Sequence, residues 1–184
     1  MRCSDFKGLK AILIDRDKTI NHDHGYTYRT EELSLIAGAS EGLSKFCSLG
    51  LDIYVVSNQS GIGRGYYSKD DCNKFNEEIN RLGSIHGFKI KNWYICPHKP
   101  SDGCECRKPS SALIRECLTK NNLTNKEVIF IGDSDVDMIC AEKIGIKNYL
   151  VKRNGKFFIE YHGKISGKFD NLYGVACFIE NKLK

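Results

Sequence analysis

Ala11-Ile12-Leu13-Ile14 runs without a polar interruption into Asp15-Arg16-Asp17-Lys18-Thr19. A strand with one wet face alternates apolar and polar residues. An unbroken apolar run that stops abruptly at acids instead marks a strand covered on both faces, the central strand of a parallel sheet. Residues i and i+2 of an extended chain point the same way. Asp15 and Asp17 would therefore be presented together at the strand's carboxyl end, where open α/β sheets bind ligands.

The rest of the chain repeats this grammar. The first strand is read as Ala11–Asp15, and similar runs follow at Asp52–Ser57, Asn92–Ile95, Val128–Gly132 and Lys147–Val151. Helical spacing fills the intervals. Ser40–Leu49 carries Leu43, Phe46 and Cys47 on one face, ahead of a C-cap glycine, Gly50. Lys69–His86 carries Cys72, Phe75, Ile79, Leu82 and Ile85, and Ser68 with Asp71 resembles its capping box. Ser110–Lys120 follows Pro109, Asp135–Ile144 ends at Gly145, and a last helix is expected over Asn171–Asn181. Alternating strands and helices predict an α/β fold, a Rossmann-like doubly wound parallel sheet. At 184 residues the expectation is one domain spanning residues 1–184. The Asn21–Gly38 and Pro97–Pro109 segments are the main irregular insertions, placed where substrates are usually selected.

Composition adds limits. Apolar runs are too short to span a bilayer, and residues 1–5 lack the apolar stretch of a signal peptide. A cytoplasmic protein without a membrane partner is expected. The net charge of +5 is mild and partly confined to a basic extension from about residue 155 to 184. From Lys152 on, the cations are Lys152, Arg153, Lys156, Lys164, Lys168, Lys182 and Lys184, against Glu160, Asp170 and Glu180. With no aromatic-and-basic groove motif beside them, they read as a solvated tail, and no nucleic acid is expected. A monomer is expected. Of nine cysteines, Cys3, Cys47, Cys72, Cys117, Cys140 and Cys177 are scattered. Cys47, Cys72, Cys117 and Cys140 fall in apolar helical patterns, as small buried hydrophobes do.

Three cysteines cluster instead. Cys96-Pro97-His98 and Cys104-Glu105-Cys106 offer three thiols and an imidazole, a set suited to closed tetrahedral zinc. A loop of residues 96–108 with little apolar content needs such a staple to order it. No open coordination position is implied, so this Zn2+ is structural and positions Arg107 and Lys108 immediately downstream.

The strand ends carry phosphate chemistry. An Asp of ordinary pKa, about 3.9, is ionised at neutral pH and attacks phosphorus without a general base, as a serine cannot. A divalent cation such as Mg2+ relieves the repulsion between that anion and the phosphate. Asp17 can protonate the leaving oxygen and later take a proton from water. Strand two ends in Ser57-Asn58-Gln59-Ser60-Gly61, a hydroxyl and amides suited to a phosphate-binding turn. Arg107-Lys108-Pro109 supplies two cations before a helix. Gly132-Asp133-Ser134-Asp135-Val136-Asp137 brings further carboxylates, with Asp133 the natural extra metal ligand.

This order of motifs, D-x-D-x-T, a strand-two Ser, a Lys before a helix and G-D-x-x-x-D, resembles the haloacid dehalogenase superfamily of phosphatases. The resemblance covers roughly residues 10 to 155. It implies that Asp15 is a nucleophile forming an aspartyl-phosphate, that Asp17 is the general acid/base, and that Ser57 and Lys108 hold the phosphoryl group. Mg2+ is implied on the Asp15 side chain, the Asp17 backbone carbonyl and the Asp133 carboxylate. The Cys-Pro-His…Cys-x-Cys-Arg-Lys-Pro loop is similar to that of the small cap-less members that cleave D-glycero-D-manno-heptose 1,7-bisphosphate or histidinol phosphate. Asp15–Tyr26 and the stretch from Ser57 to Gly65 favour the heptose enzymes. By this analogy Asp23, His24, Gly25, Tyr26, Ser57, Asn58, Gln59, Ser60, Arg107 and Lys108 line the substrate site.

Three features depart from the family pattern. Lys18 stands where the family usually has Gly, Ser134 follows Asp133 where some members carry Lys, and the tail after Gly155 exceeds the family core. Of the histidines, His98 is expected as a zinc ligand and His24 in the substrate loop. His22 flanks the catalytic strand, and His86 and His162 have no special context. The expected activity is removal of the C7 phosphate of the heptose bisphosphate, giving heptose 1-phosphate for nucleotide-activated heptose. Histidinol-phosphate hydrolysis is the alternative within the class. A nucleic-acid 3′-phosphatase guided by the basic tail, and a non-catalytic zinc-stabilised interaction module, are alternatives of other classes.

Overall fold

The apolar run after Lys10 forms β1 (Ala11–Ile14), buried along its whole length. Its side chains alternate between two cores. Ile12 and Ile14 join Ile53, Val55, Ile129 and Ile131 on one face, and Ala11 and Leu13 join Tyr54, Val56, Val128 and Phe130 on the other. A strand in that position can carry no polar side chain, which is why its sequence does not alternate. The structure is a computed structural model that describes residues 6–157 and 159–184. The N-terminal stretch read above, Cys3 included, lies outside the described residues.

Around β1 the chain lays down β2 (Asp52–Asn58), β3 (Asn92–Cys96), β4 (Val128–Gly132), β5 (Lys147–Val151) and β6 (Gly167–Phe169). The sheet order is β3-β2-β1-β4-β5-β6, with every pairing parallel. β1 lies between β2 and β4, where the direction of winding reverses, and such a switch point opens a crevice at the strands' carboxyl ends. Ile14 pairs with both Val55 and Ile131. That register brings Asp15, Ser57 and Asp133 to one rim.

The helices are α1 (Ala39–Ser48), the single turn α2 (Ser60–Gly63), α3 (Lys69–His86), α4 (Ala112–Lys120), α5 (Asp135–Glu142) and α6 (Leu172–Leu183). Core residues of α1, α3 and α6 cover one face of the sheet, and those of α4 and α5 cover the other. The capping box of α3 is present: the Asp71 backbone N–H donates to Ser68 Oγ, and the Ser68 N–H donates to the Asp71 carboxylate. Two elements are not legible in the sequence. β6 is only Gly-Lys-Phe, too short for any periodicity. α2 sits inside what reads as a turn.

The tail is not merely solvated. α6 buries Leu172, Val175, Ala176 and Ile179, and a large aliphatic side chain so buried contributes about 1.5–3 kcal/mol. It packs on α1 at Gly42, where a Cβ would lie 2.5 Å from the Leu172 backbone. This is the last helix expected over Asn171–Asn181, and it packs on the core. Among the described residues no helix is long and apolar enough to cross a membrane.

Candidate active site

Asp15 leaves β1 with its N–H donated to the Ile131 carbonyl, 2.9 Å away. Its carboxylate meets the ammonium of Lys108, which donates to Asp15 Oδ1 at 2.6 Å and to the Val56 carbonyl at 2.7 Å. Asp137 Oδ1 lies 2.7 Å from the same nitrogen. Burial works against the Lys108 charge, but Asp137 and Asp15 outweigh it and hold its pKa above the usual lysine range. A lysine so placed stays charged and is a fixed point of positive charge.

Asp137 reaches Lys108 because α5 starts one turn earlier. Ser134 caps α5, and its Oγ donates to Asp137 Oδ2 at 2.5 Å. Gly132 makes the approach possible: a Cβ there would lie 2.5 Å from the Asp137 carboxylate. Gly132 and Asp137, the ends of G-D-x-x-x-D, are thus one steric unit.

Ligand oxygens of Asp15, Asp133 and Asp137 lie within 4.8 Å of one another. Burial, opposed by Lys108, and the neighbouring acids push Asp15 up to about 8. Burial and Asp137 push Asp133 up to about 6, against the pull of Arg153. Crowded, buried carboxylates that resist ionisation are relieved by a hard divalent cation with oxygen ligands, so the donor set fits Mg2+. Arg153, read from sequence as part of the solvated tail, lies inside this network: its Nε donates to Asp133 Oδ2 at 2.5 Å. Its position just beyond β5, the strand next to β4, was the available signal.

Asp17 is held differently. Its Oδ1 accepts from Arg16 Nε at 2.9 Å and Asn21 Nδ2 at 3.2 Å, and its Oδ2 from Arg16 Nη2 at 3.2 Å and Gln59 Nε2 at 2.6 Å. Arg16 is buried and also donates to Asn76, Gln59 and the Thr27 carbonyl. The two acids therefore diverge: Asp15 faces Lys108, while the Asp17 carboxylate stays outside the group of three that Asp137 completes. Sequence reasoning assigned Arg16 no role, since its distant partners leave no local signal.

A cavity of about 430 Å³ opens over these groups. Asp15, Asp17, Asp23, Gly25, Tyr26, Ser57, Asn58, Gln59, Ser60, Arg107, Lys108 and Asp133 all line it, and so do Lys18, Tyr67, Ser134, Val136, Asp137 and Arg153. His24 is not in the lining; it is exposed, and its N–H donates to Thr27 Oγ1. Gln59 lines the wall with its amide already bonded: Oε1 accepts from Arg16 and Tyr67, and Nε2 donates to Asp17 and Ser57. Its work is to fix Ser57 and Asp17. Burial pushes the Asp23 carboxyl up, but the Thr27 N–H and the Lys18 ammonium outweigh it and hold it below the ordinary range.

The zinc-type residues converge as well. His98 Nδ1 lies 3.2 Å from Cys106 Sγ and 3.7 Å from Cys96 Sγ, and the three sulfurs are 3.1–3.6 Å apart. Sulfurs about 2.3 Å from a tetrahedral zinc stand about 3.8 Å apart. The three thiols and the imidazole are the donor types of such a site, drawn closer together here than an ion would hold them. The loop reaches the acid site through Asn58, whose side-chain amide accepts from the Lys108 N–H at 2.9 Å and donates to the Lys108 carbonyl at 3.1 Å.

The haloacid dehalogenase-like hydrolase family model matches residues 71–151. The chain is 39% identical over 144 residues to a probable D-glycero-D-manno-heptose-1,7-bisphosphate 7-phosphatase of Thermoplasma acidophilum, covering 77% of this chain and 89% of the relative. It is 33% identical over 177 residues to the D-glycero-alpha-D-manno-heptose-1,7-bisphosphate 7-phosphatase of Campylobacter jejuni, covering 94% and 97%. A D,D-heptose 1,7-bisphosphate phosphatase from B. bronchiseptica, solved with magnesium and phosphate, shares the fold. Its TM-score is 0.86 at 24% identity, over 95% of this chain and 99% of that one. With an aspartate held against a buried lysine at the sheet's switch point, the chain belongs to the haloacid dehalogenase-like hydrolases and is a phosphatase of that family.

Proposed function

We propose that this phosphatase removes the C7 phosphate of D-glycero-D-manno-heptose 1,7-bisphosphate, leaving heptose 1-phosphate. The observation that carries the chemistry is the Lys108 ammonium 2.6 Å from Asp15 Oδ1, above a crevice that Ser57 also lines. The substrate is read from the named relatives and from Asp23, Gly25, Tyr26 and the Ser57–Ser60 segment, which line the cavity.

In this reading Asp15 attacks phosphorus, the sugar oxygen departs with a proton from Asp17, and an aspartyl-phosphate is left. Asp17, again a carboxylate, takes a proton from the water that then releases phosphate. Four donors around Asp17 fix its carboxylate in place, so one of them must give way for it to carry the proton. Lys108 and Ser57 hold the phosphoryl oxygens, and Arg107 faces the substrate beside them. Mg2+ held by Asp15, Asp133 and the Asp17 carbonyl would neutralise charge between carboxylate and phosphate. Zn2+ on Cys96, His98, Cys104 and Cys106 would be structural, keeping Arg107 and Lys108 in register. Thiols in that role suit a reducing cytoplasm.

Phosphate release with Mg2+ from heptose 1,7-bisphosphate, histidinol phosphate and a 3′-phosphorylated oligonucleotide tests the reading. The expected order has the heptose bisphosphate first by kcat/KM. Preference for histidinol phosphate would replace the substrate, and preference for the oligonucleotide would move the function to end repair.

A further inference from the structure

Resting on that sugar-bisphosphate reading, we propose that Lys18 binds the phosphate that is not cleaved and so sets selectivity for a doubly phosphorylated sugar. Such a substrate brings two anions into one cavity. Three cations of the lining are engaged beside the acid cluster or the thiol loop. Lys108 bridges Asp15 and Asp137, Arg153 holds Asp133, and Arg107 Nη1 donates to the His98 carbonyl at 3.2 Å. Lys18 stands with another part of the wall, the loop of Asp23, Gly25 and Tyr26.

Its surroundings fit an exchangeable partner. Lys18 Nζ lies 3.3 Å from Asp23 Oδ2, with about a third of the lysine side chain exposed, whereas the Lys108 side chain is almost wholly buried. The bonds that shape the loop use the other oxygen: Asp23 Oδ1 accepts from the Gly25 N–H at 3.2 Å and the Thr27 N–H at 3.0 Å. The ammonium can pass from Asp23 to a phosphate without opening that loop. A phosphate dianion is the stronger partner for it.

The backbone points the same way. Lys18 has φ 62, a left-handed conformation that glycine adopts freely and a Cβ disfavours. The turn is closed by main chain, the Lys18 N–H donating to the Asn21 carbonyl at 2.8 Å. The turn therefore needs no side chain at this position. Strain of this kind gathers where a side chain has work to do, and here the side chain is a cation facing the cavity.

The test compares wild type, Lys18→Gln, Lys18→Arg and Lys18→Gly, with Mg2+, on heptose 1,7-bisphosphate and on heptose 7-phosphate. In Lys18→Gln and Lys18→Gly the KM for the bisphosphate should rise about tenfold more than that for the monophosphate, the loss of one charge-assisted contact. Inhibition by the sugar 1-phosphate product should weaken in parallel, and Lys18→Arg should keep the preference. Lys18→Gly should also melt at a higher temperature than wild type, showing that the loss does not come from unfolding. Equal rises for both substrates would make Lys18 a latch for the Asp23 loop and overturn the assignment, as would no change. Wild type without preference for the bisphosphate would overturn the substrate reading itself. Preference retained in both Lys18→Gln and Lys18→Gly would overturn the role of Lys18 alone.

Discussion

The acid cluster and the thiol cluster meet at Lys108, yet they are held by opposite means. Asp15 and Asp133 extend from β1 and β4, strands buried on both faces, and Asp137 comes from the capped first turn of α5. Strands and helix would hold those carboxylates in place with or without an ion. Cys96, at the end of β3, aside, the thiol cluster rides on an irregular loop with a single short 3-10 turn at Pro100–Asp102. A scaffold-borne site uses its ion for chemistry, and a loop-borne site uses it for shape. Losing the ion should therefore cost activity in the first case and stability in the second.

The largest effect expected is at Asp15, the proposed nucleophile. Asp15→Asn should lower turnover by 10⁴-fold or more, about 5.5 kcal/mol of barrier, while circular dichroism and the melting temperature show an intact fold. An active Asp15→Asn variant would reassign the nucleophile. Asp133→Asn should act on the ion instead, raising the Mg2+ concentration needed for half-maximal rate while leaving metal-free melting nearly unchanged.

Zinc removal should reverse the pattern. Treating reduced protein with a chelator, or substituting Cys104→Ser, should destabilise the fold by about 3 kcal/mol, about 6–12 °C for a chain of this size. One equivalent of zinc per chain should be found by metal analysis beforehand. Unchanged melting after zinc loss would show that the loop is held by packing, and the contrast between the two clusters would fall.

Asn58 tests how the clusters communicate. Its amide grips the Lys108 N–H and carbonyl, and leaving those groups unpaired costs about 1–3 kcal/mol. Asn58→Ala should lower kcat about tenfold or more with zinc content unchanged. Loss of zinc in this variant would mean that Asn58 supports the loop itself.

The two regions were also unequally legible in the sequence. A continuous apolar run fits few places in a fold besides a strand covered on both faces, and a cluster of three cysteines with a histidine suits little besides a metal. The sheet, its order of functional strand ends and the thiol set were readable for that reason. The polar support was not. Arg16 carries no role of its own in the motif, Gln59 reads as a substrate contact and Arg153 as part of a basic tail. Each is defined by a partner 20 to 60 residues away: Asn76 for Arg16, Asp17 for Gln59 and Asp133 for Arg153. Hydrogen bonds of that span leave no periodic trace. Asp137 lay between these cases, since its motif was visible but its reach to Lys108 depends on Gly132 lacking a Cβ.

The smallest effect distinguishes the clusters by pH. Burial raises Asp15 to about 8 and Asp133 to about 6, both above an unfolded value of about 3.9. A raised carboxyl pKa means that the folded chain binds more protons than the unfolded one between those values. The stability these groups contribute is then fully present below about pH 4 and is lost as pH rises through about 6 and about 8. A divalent cation binds the ionised carboxylates and displaces those protons, so its stabilisation should grow as the pH rises. The rise in melting temperature on adding Mg2+ should be larger at pH 8 than at pH 6 by about 3 °C, about 1 kcal/mol. Stabilisation by zinc should show a different dependence, because its ligands are thiolates and an imidazole whose protons compete over another range. A Mg2+ effect that is flat or falls with pH would mean that the ion does not displace protons from Asp15 and Asp133, and would move it off the carboxylate cluster.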